Sequence, residues 1–144
     1  MSCNNQLKEN YGLFIGGEWR PASDGTTYQS TNPANGEVLT QCAQATKEDV
    51  DAAVAAAWKA FPEWKKTTKE ERAAILDKIA DRVEENQEWL AKVETMDNGK
   101  PIRETMAIDV PYSIRHFRYY ASLDPYRRRC CFYSGRRYDE SGSS

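Results

Sequence analysis

The longest apolar pattern in the chain runs from Thr68 to Pro101, where Ile75, Leu76, Ile79, Val83, Leu90 and Val93 recur at helical spacing with Glu, Asp, Lys and Arg between them. Thr68 with Glu71 three residues on has the form of a capping box. Asn98-Gly99 supplies a left-handed end, and Pro101 forbids continuation. One long helix is therefore predicted here, and a stripe of that length must lie on something large. A second helix is predicted from Thr46, capped with Asp49, through Val50, Ala53, Val54, Ala57 and Phe61, ending at Pro62. Before it, Leu13–Trp19 reads as a strand turning at Gly16-Gly17, and Thr26–Gln29 and Val38–Ala45 as two more strands, separated by Ser23-Asp24-Gly25 and Asn32–Gly36 turns. After the long helix, Ile102–Ala107 predicts a short helical turn. Asp109 then reads as a cap for a helix over Tyr112–Ser122 with Pro111 in its first turn.

The aromatics Trp58, Trp64, Tyr112, Phe117, Tyr119 and Tyr120 are expected to pack in helix contacts rather than to bind a ligand. Gly16-Gly17 lacks the third glycine and the following helix of a phosphate loop, so a tight turn is expected. The chain has 144 residues, one domain or part of one, with 40% hydrophobic and 29% charged residues. No run of eighteen apolar residues is present to span a bilayer. Residues 1–11 are polar, without the apolar heart of a signal peptide, and are expected to form a flexible leader on a cytoplasmic protein. The net charge of −2 gives no reason to expect a nucleic-acid or membrane partner, although residues 127–144 carry five Arg against Asp139 and Glu140, a local +3. Cys3, Cys42, Cys130 and Cys131 show no C-x-x-C spacing, and His116 is the sole histidine, so a cysteine metal site is not expected.

Six strings stand in order along the chain: L-F-I-G-G-E-W at 13–19, N-P-A-N-G-E-V at 32–38, K-E-D-V-D-A-A-V at 47–54, F-P-E-W at 61–64, E-T-M-D-N-G-K-P at 94–101 and H-F-R-Y-Y-A at 116–121. Together, over residues 12–122, they resemble the N-terminal segment of the NAD(P)-dependent aldehyde dehydrogenase superfamily. The resemblance implies an α/β parent fold. This chain would supply three short strands, the first folded into a hairpin, and then three helices that pack on the parallel dinucleotide-binding sheet without containing it. It also implies the parent's chemistry, in which an aldehyde, NAD or NADP and water give a carboxylic acid through a cysteine thiolate, and a homo-oligomeric parent.

The family's nucleophile, general base, oxyanion asparagine and cofactor turn lie beyond the matched stretch. No catalytic or cofactor-binding residue is therefore assigned, and a chain on its own is expected to be inactive and prone to self-association. The one site the resemblance carries over is a monovalent cation held by the backbone carbonyl before Asn-Pro and by an acid ahead of R-Y-Y. Those positions are Thr31 and Asp109 here, with helix capping as the other reading of Asp109.

Residues 123–144 fit no part of the family pattern and are expected to be an unrelated tail. Read one base out of frame after Ser122, their codons permit an acidic-then-apolar run ending in the family's R-E, which predicts a frameshifted, truncated dehydrogenase. Two other readings differ in class: a small helical module that associates with an intact dehydrogenase subunit, and an Arg-tailed nucleic-acid-associated protein.

Overall fold

The computed structural model describes residues 7–123. Met1–Tyr11 was expected to be leader throughout, but its last two residues form a strand, β1 (Asn10–Tyr11). The hairpin follows as β2 (Leu13–Ile15) and β3 (Glu18–Arg20), antiparallel, with Gly16 and Gly17 at φ 64° and 93° in the turn. Next come β4 (Thr27–Thr31) and β5 (Val38–Ala43). β5 is central in a three-stranded sheet, antiparallel to β4 and parallel to β1. Thr40 of β5 is buried and donates its hydroxyl to the carbonyls of Lys8 (2.8 Å) and Glu9 (3.1 Å), which fastens the segment leading into β1.

Helix α1 (Lys47–Trp64) starts at a full capping box between Thr46 and Asp49. Asp49 is buried and also holds the turn before β4. Its Oδ2 accepts from the backbone N–H groups of Thr46 and Ser23, both at 3.0 Å, and from their hydroxyls at 3.1 and 3.2 Å. The Thr46 backbone donor, then that of Ser23, hold the Asp49 carboxyl below its ordinary value. Because the folded value is the lower one, this knot contributes fully above the ordinary carboxylate range. It is lost as pH falls from about 4 through the folded value. Amide protection at Ser23 and Thr46 is expected to fall in that window and, in Asp49→Asn, to be weak at every pH; an unchanged Asp49→Asn profile would show that the carboxylate does not hold the turn.

Three boundaries differ from the sequence expectation. α1 does not stop at Pro62 but runs two residues further, to Trp64. The absent Pro62 N–H falls in the last turn, where Lys65 N–H still reaches the Phe61 carbonyl at 2.9 Å. The predicted single helix is two, α2 (Lys69–Glu85) and α3 (Gln87–Asn98), hinged at Asn86 with φ −111° and ψ 15°. The apolar stripe skips the turn between Val83 and Leu90, and Asn86 Nδ2 donates instead to the Arg82 carbonyl at 2.8 Å, a side chain competing with the helix ladder. Gln87 then turns away to donate to the Met106 carbonyl at 3.0 Å, fixing where α3 begins. The expected ends of this region do hold: Thr68 and Glu71 form a capping box, and Gly99 sits at φ 77° after α3.

Asp109 does not cap a helix. α4 (Ile102–Glu104) passes through a π-helical turn, Thr105–Asp109, directly into α5 (Val110–Leu123). Val110 N–H reaches back five residues to the Thr105 carbonyl. A proline continuing an α-helix drives its ring against the carbonyl four residues earlier, and the wider turn ahead of Pro111 opens that contact.

The core lies where α5 crosses α2 and α3. Ala80, Ala91, Val110 and Ile114 are buried together, with Val83, Met106 and Phe117 around them. Arg118 ties α5 to α2 at the surface, donating to Asp81 (3.0 Å) and Glu84 (2.7 Å). The aromatic packing expected of α5 is confined to Phe117, because Tyr112, Tyr119 and Tyr120 are each more than half exposed. Trp58, at 68% exposure, and Trp64 likewise lie outside the core.

Candidate functional site

Thr31 ends β4 and is exposed, just past a shift in register with β5. The residues around it meet the C-terminal end of α3. Ser30 Oγ donates to Asp97 Oδ1 at 2.6 Å. A Cβ placed on Gly99 would come within 2.8 Å of Pro33 Cγ, so the Asn-Pro turn and the Asn-Gly helix end close on each other and glycine is required there. Two strings 65 residues apart in the chain, N-P and D-N-G-K-P, thus form one junction.

Asp109 is attached to this junction from the other side. Its Oδ2 lies 2.6 Å from Lys100 Nζ, in a pair that is partly buried. That hydrogen bond, donated by Lys100 to Asp109, is the main reason the Lys100 ammonium is held above its ordinary pKa. The Asp109 carboxylate therefore already holds a cation, the protein's own. The acid joined to β4 is Asp97, through Ser30, next to the Thr31 that ends the strand. No group of three or more His, Cys, Asp or Glu side chains converges as a metal site among the described residues.

Beside the junction, between β4–β5 and helices α2, α3 and α5, a cavity of about 500 Å³ opens. Leu39, Val83, Leu90, Val93 and Val110 make its apolar walls, and Ser30, Asp97 and Ser113 its polar rim. In a neighbouring groove of α2 and α3, beside Lys8 and Tyr11, Ile75, Ile79 and Leu90 stand 39%, 37% and 37% exposed.

The described residues form no nucleophile–base pair. Cys42 lies on β5 opposite Tyr28, whose hydroxyl its neighbouring sulfur holds above the ordinary phenol value. His116 lies on the exposed side of α5 with Nδ1 3.0 Å from the Tyr112 carbonyl. The Gly16-Gly17 turn joins two strands and opens no helix, so it offers a dinucleotide no cradle. Cys3, Cys130, Cys131 and the Arg-rich stretch 127–144 lie outside the described residues. No described helix is long and apolar enough to cross a membrane.

Comparison with known proteins places this arrangement. Over residues 19–129 the chain matches the model of the aldehyde dehydrogenase family, seven residues past the point where the motif resemblance stops. It is 54% identical over 117 residues to aldehyde dehydrogenase B of Escherichia coli (strain K12), which takes in 81% of this chain and 23% of that protein. An aldehyde dehydrogenase of Deinococcus radiodurans is 52% identical over 115 residues, 80% of this chain and 22% of its own length. Among solved structures, an aldehyde dehydrogenase from Bacillus cereus in its NAD+ complex superposes with a TM-score of 0.77 at 41% identity, covering 80% of this chain and 24% of that one. The chain thus spans about a quarter of the length of the relatives it matches. With residues 19–129, most of the chain and all of its described helices, inside the family match, the chain belongs to the aldehyde dehydrogenase family.

Proposed function

We propose that this chain is the covering layer of an NAD(P)-dependent aldehyde dehydrogenase subunit and carries out no aldehyde oxidation alone. The observation that supports this is the half-exposed apolar face of α2 and α3, Ile75, Ile79 and Leu90, continuous in sequence with the buried side of the same helices. Such a face fits a sheet laid against it. In the whole enzyme the reaction is aldehyde, NAD(P)+ and water to carboxylic acid and NAD(P)H. The residues present do not fit the dinucleotide, so no step of that reaction is assigned to them.

The same proposal holds that the parent is a cytoplasmic homo-oligomer. A monovalent cation at the Thr31 carbonyl belongs to it too. Asp109 is its acid in this proposal, and a cation there would have to compete with the Lys100 ammonium that the carboxylate already holds.

The test is a nicotinamide-reduction assay of the purified chain with short aliphatic and aromatic aldehydes and both cofactors. No turnover above the protein-free rate is expected, and steady aldehyde-dependent reduction would overturn the proposal. An intact dehydrogenase subunit retained by the chain on purification would instead favour the helical-module reading.

A further inference from the structure

The chain holds two Asn-Gly steps, Asn35-Gly36 between β4 and β5 and Asn98-Gly99 at the end of α3. Such a step is open to attack from within, because glycine has no side chain to shield its backbone nitrogen from the amide carbon before it. The same hydrogen bond prepares both asparagines. Glu37 N–H donates to Asn35 Oδ1 at 3.0 Å, and Lys100 N–H to Asn98 Oδ1 at 2.8 Å. Each bond folds the amide back over the glycine peptide. Each also sets a donor where an oxyanion forms when the glycine nitrogen attacks Cγ.

What surrounds the two steps differs. Gly36 faces open space, where a Cβ would meet nothing within 4 Å. The bonds that hold its turn are local: Gly36 N–H to the Asn32 carbonyl and Asn32 N–H to the Glu37 carbonyl, both 2.8 Å. Gly99 is wedged against Pro33, and its N–H donates to the Thr95 carbonyl at 3.0 Å. Asn98 is the last residue of α3, so bringing its Cγ onto the Gly99 nitrogen requires that helix end to unwind.

We propose that Asn35 is a site of spontaneous covalent modification, converting to aspartate and isoaspartate, and that Asn98 is its protected counterpart. The Gly36 amide gives its proton to solvent hydroxide, and its nitrogen bonds Asn35 Cγ. The Cγ–Nδ2 bond breaks, and Nδ2 takes up a proton and leaves as ammonia. Water then opens the cyclic imide at either carbonyl, and no atom is oxidised or reduced. Asn35 Nδ2 donates to Glu37 Oε2 at 2.8 Å before conversion. In the aspartate product a carboxylate replaces that donor and faces another carboxylate. In the isoaspartate product the main chain gains a methylene. Either product loosens the turn that closes on Gly99.

Peptide mapping by mass spectrometry of the full chain, aged at mildly alkaline pH with and without denaturant, tests this. In the folded chain the Asn35 peptide should pass from amide to acid mass at least about tenfold faster than the Asn98 peptide, because only the latter waits on local unfolding. In denaturant both steps are bare, and the two rates should agree within about threefold. Asn35→Asp installs one product directly, and amide exchange at Asn32 and Gly36 should rise in it by about tenfold. Equal rates in the folded chain, a faster Asn98, an Asn35 that converts only in denaturant, or unchanged exchange in Asn35→Asp would overturn the proposal.

Discussion

Heated in a calorimeter, the purified chain will show no sharp unfolding peak, and at room temperature it will bind a hydrophobic dye strongly. The reason lies in what is buried. Among the described residues the buried apolar ones are Ala22, Ala73, Ala80, Ala91, Val110, Ile114 and Ala121, and five of these seven are alanines. The large side chains that give most of a domain its stability, about 1.5–3 kcal/mol each when covered, are the ones left half open. Phe14, Trp19, Val50, Val54, Trp58, Phe61, Ile75, Ile79 and Leu90 are all more than a third exposed. Secondary structure does not depend on that core to the same degree, because both capping boxes and the Gly99 helix end are local. The expected state is thus rich in helix by far-UV circular dichroism but loose in tertiary packing. A cooperative domain of this length would absorb roughly 100 kcal/mol at its midpoint. Less than half of that, spread over tens of degrees, is expected here. A narrow peak of full enthalpy from monomeric protein would show that the exposed faces need no cover.

What could be read from the sequence divides along the same line between local and non-local causes. The caps at Thr46 and Thr68 and the left-handed Gly99 were legible because each is decided by residues within one turn. The hairpin at Gly16-Gly17 was legible for the same reason. The break at Asn86 was not, because apolar spacing carried the eye across it. Two polar side chains make the break, and one of them, Gln87, bonds to a carbonyl 19 residues on. The π turn before Pro111 was read as a cap because a proline after an acidic residue is more often a helix start; here packing of α5 on α2 keeps the helix continuous and the turn widens instead. At the candidate site, the Asn-Pro turn is legible, but its closure on the end of α3 is not, because the Ser30–Asp97 contact joins β4 to α3 across 67 residues. The tyrosines of α5 were read as core from composition alone, and no pattern in the sequence distinguishes a face covered within the chain from one covered by something else.

The α2–α5 crossing is the best-packed part of the chain, and Ile114→Ala will undo it. Ile114 is 7% exposed and meets Ala80, Ala91 and Val110, whose short side chains cannot move to fill a gap. Truncating a buried isoleucine costs about 2–5 kcal/mol, the upper end where the site cannot collapse. Since the chain as a whole is expected to melt without one transition, the loss is best read locally, from amide exchange at residues of α2 and α5. Protection there should drop by about thirty- to several-thousand-fold, or to none, while the exchange of β4 and β5 changes little. Ile108→Ala is the control. Ile108 is 56% exposed in the π turn just ahead of the same helix, and its loss should leave protection within about twofold. Arg118→Ala falls between, since it removes the surface tie to Asp81 and Glu84 but no core atoms. If Ile114→Ala and Ile108→Ala gave equal changes, the packing of α5 on α2 would not be what holds this segment together.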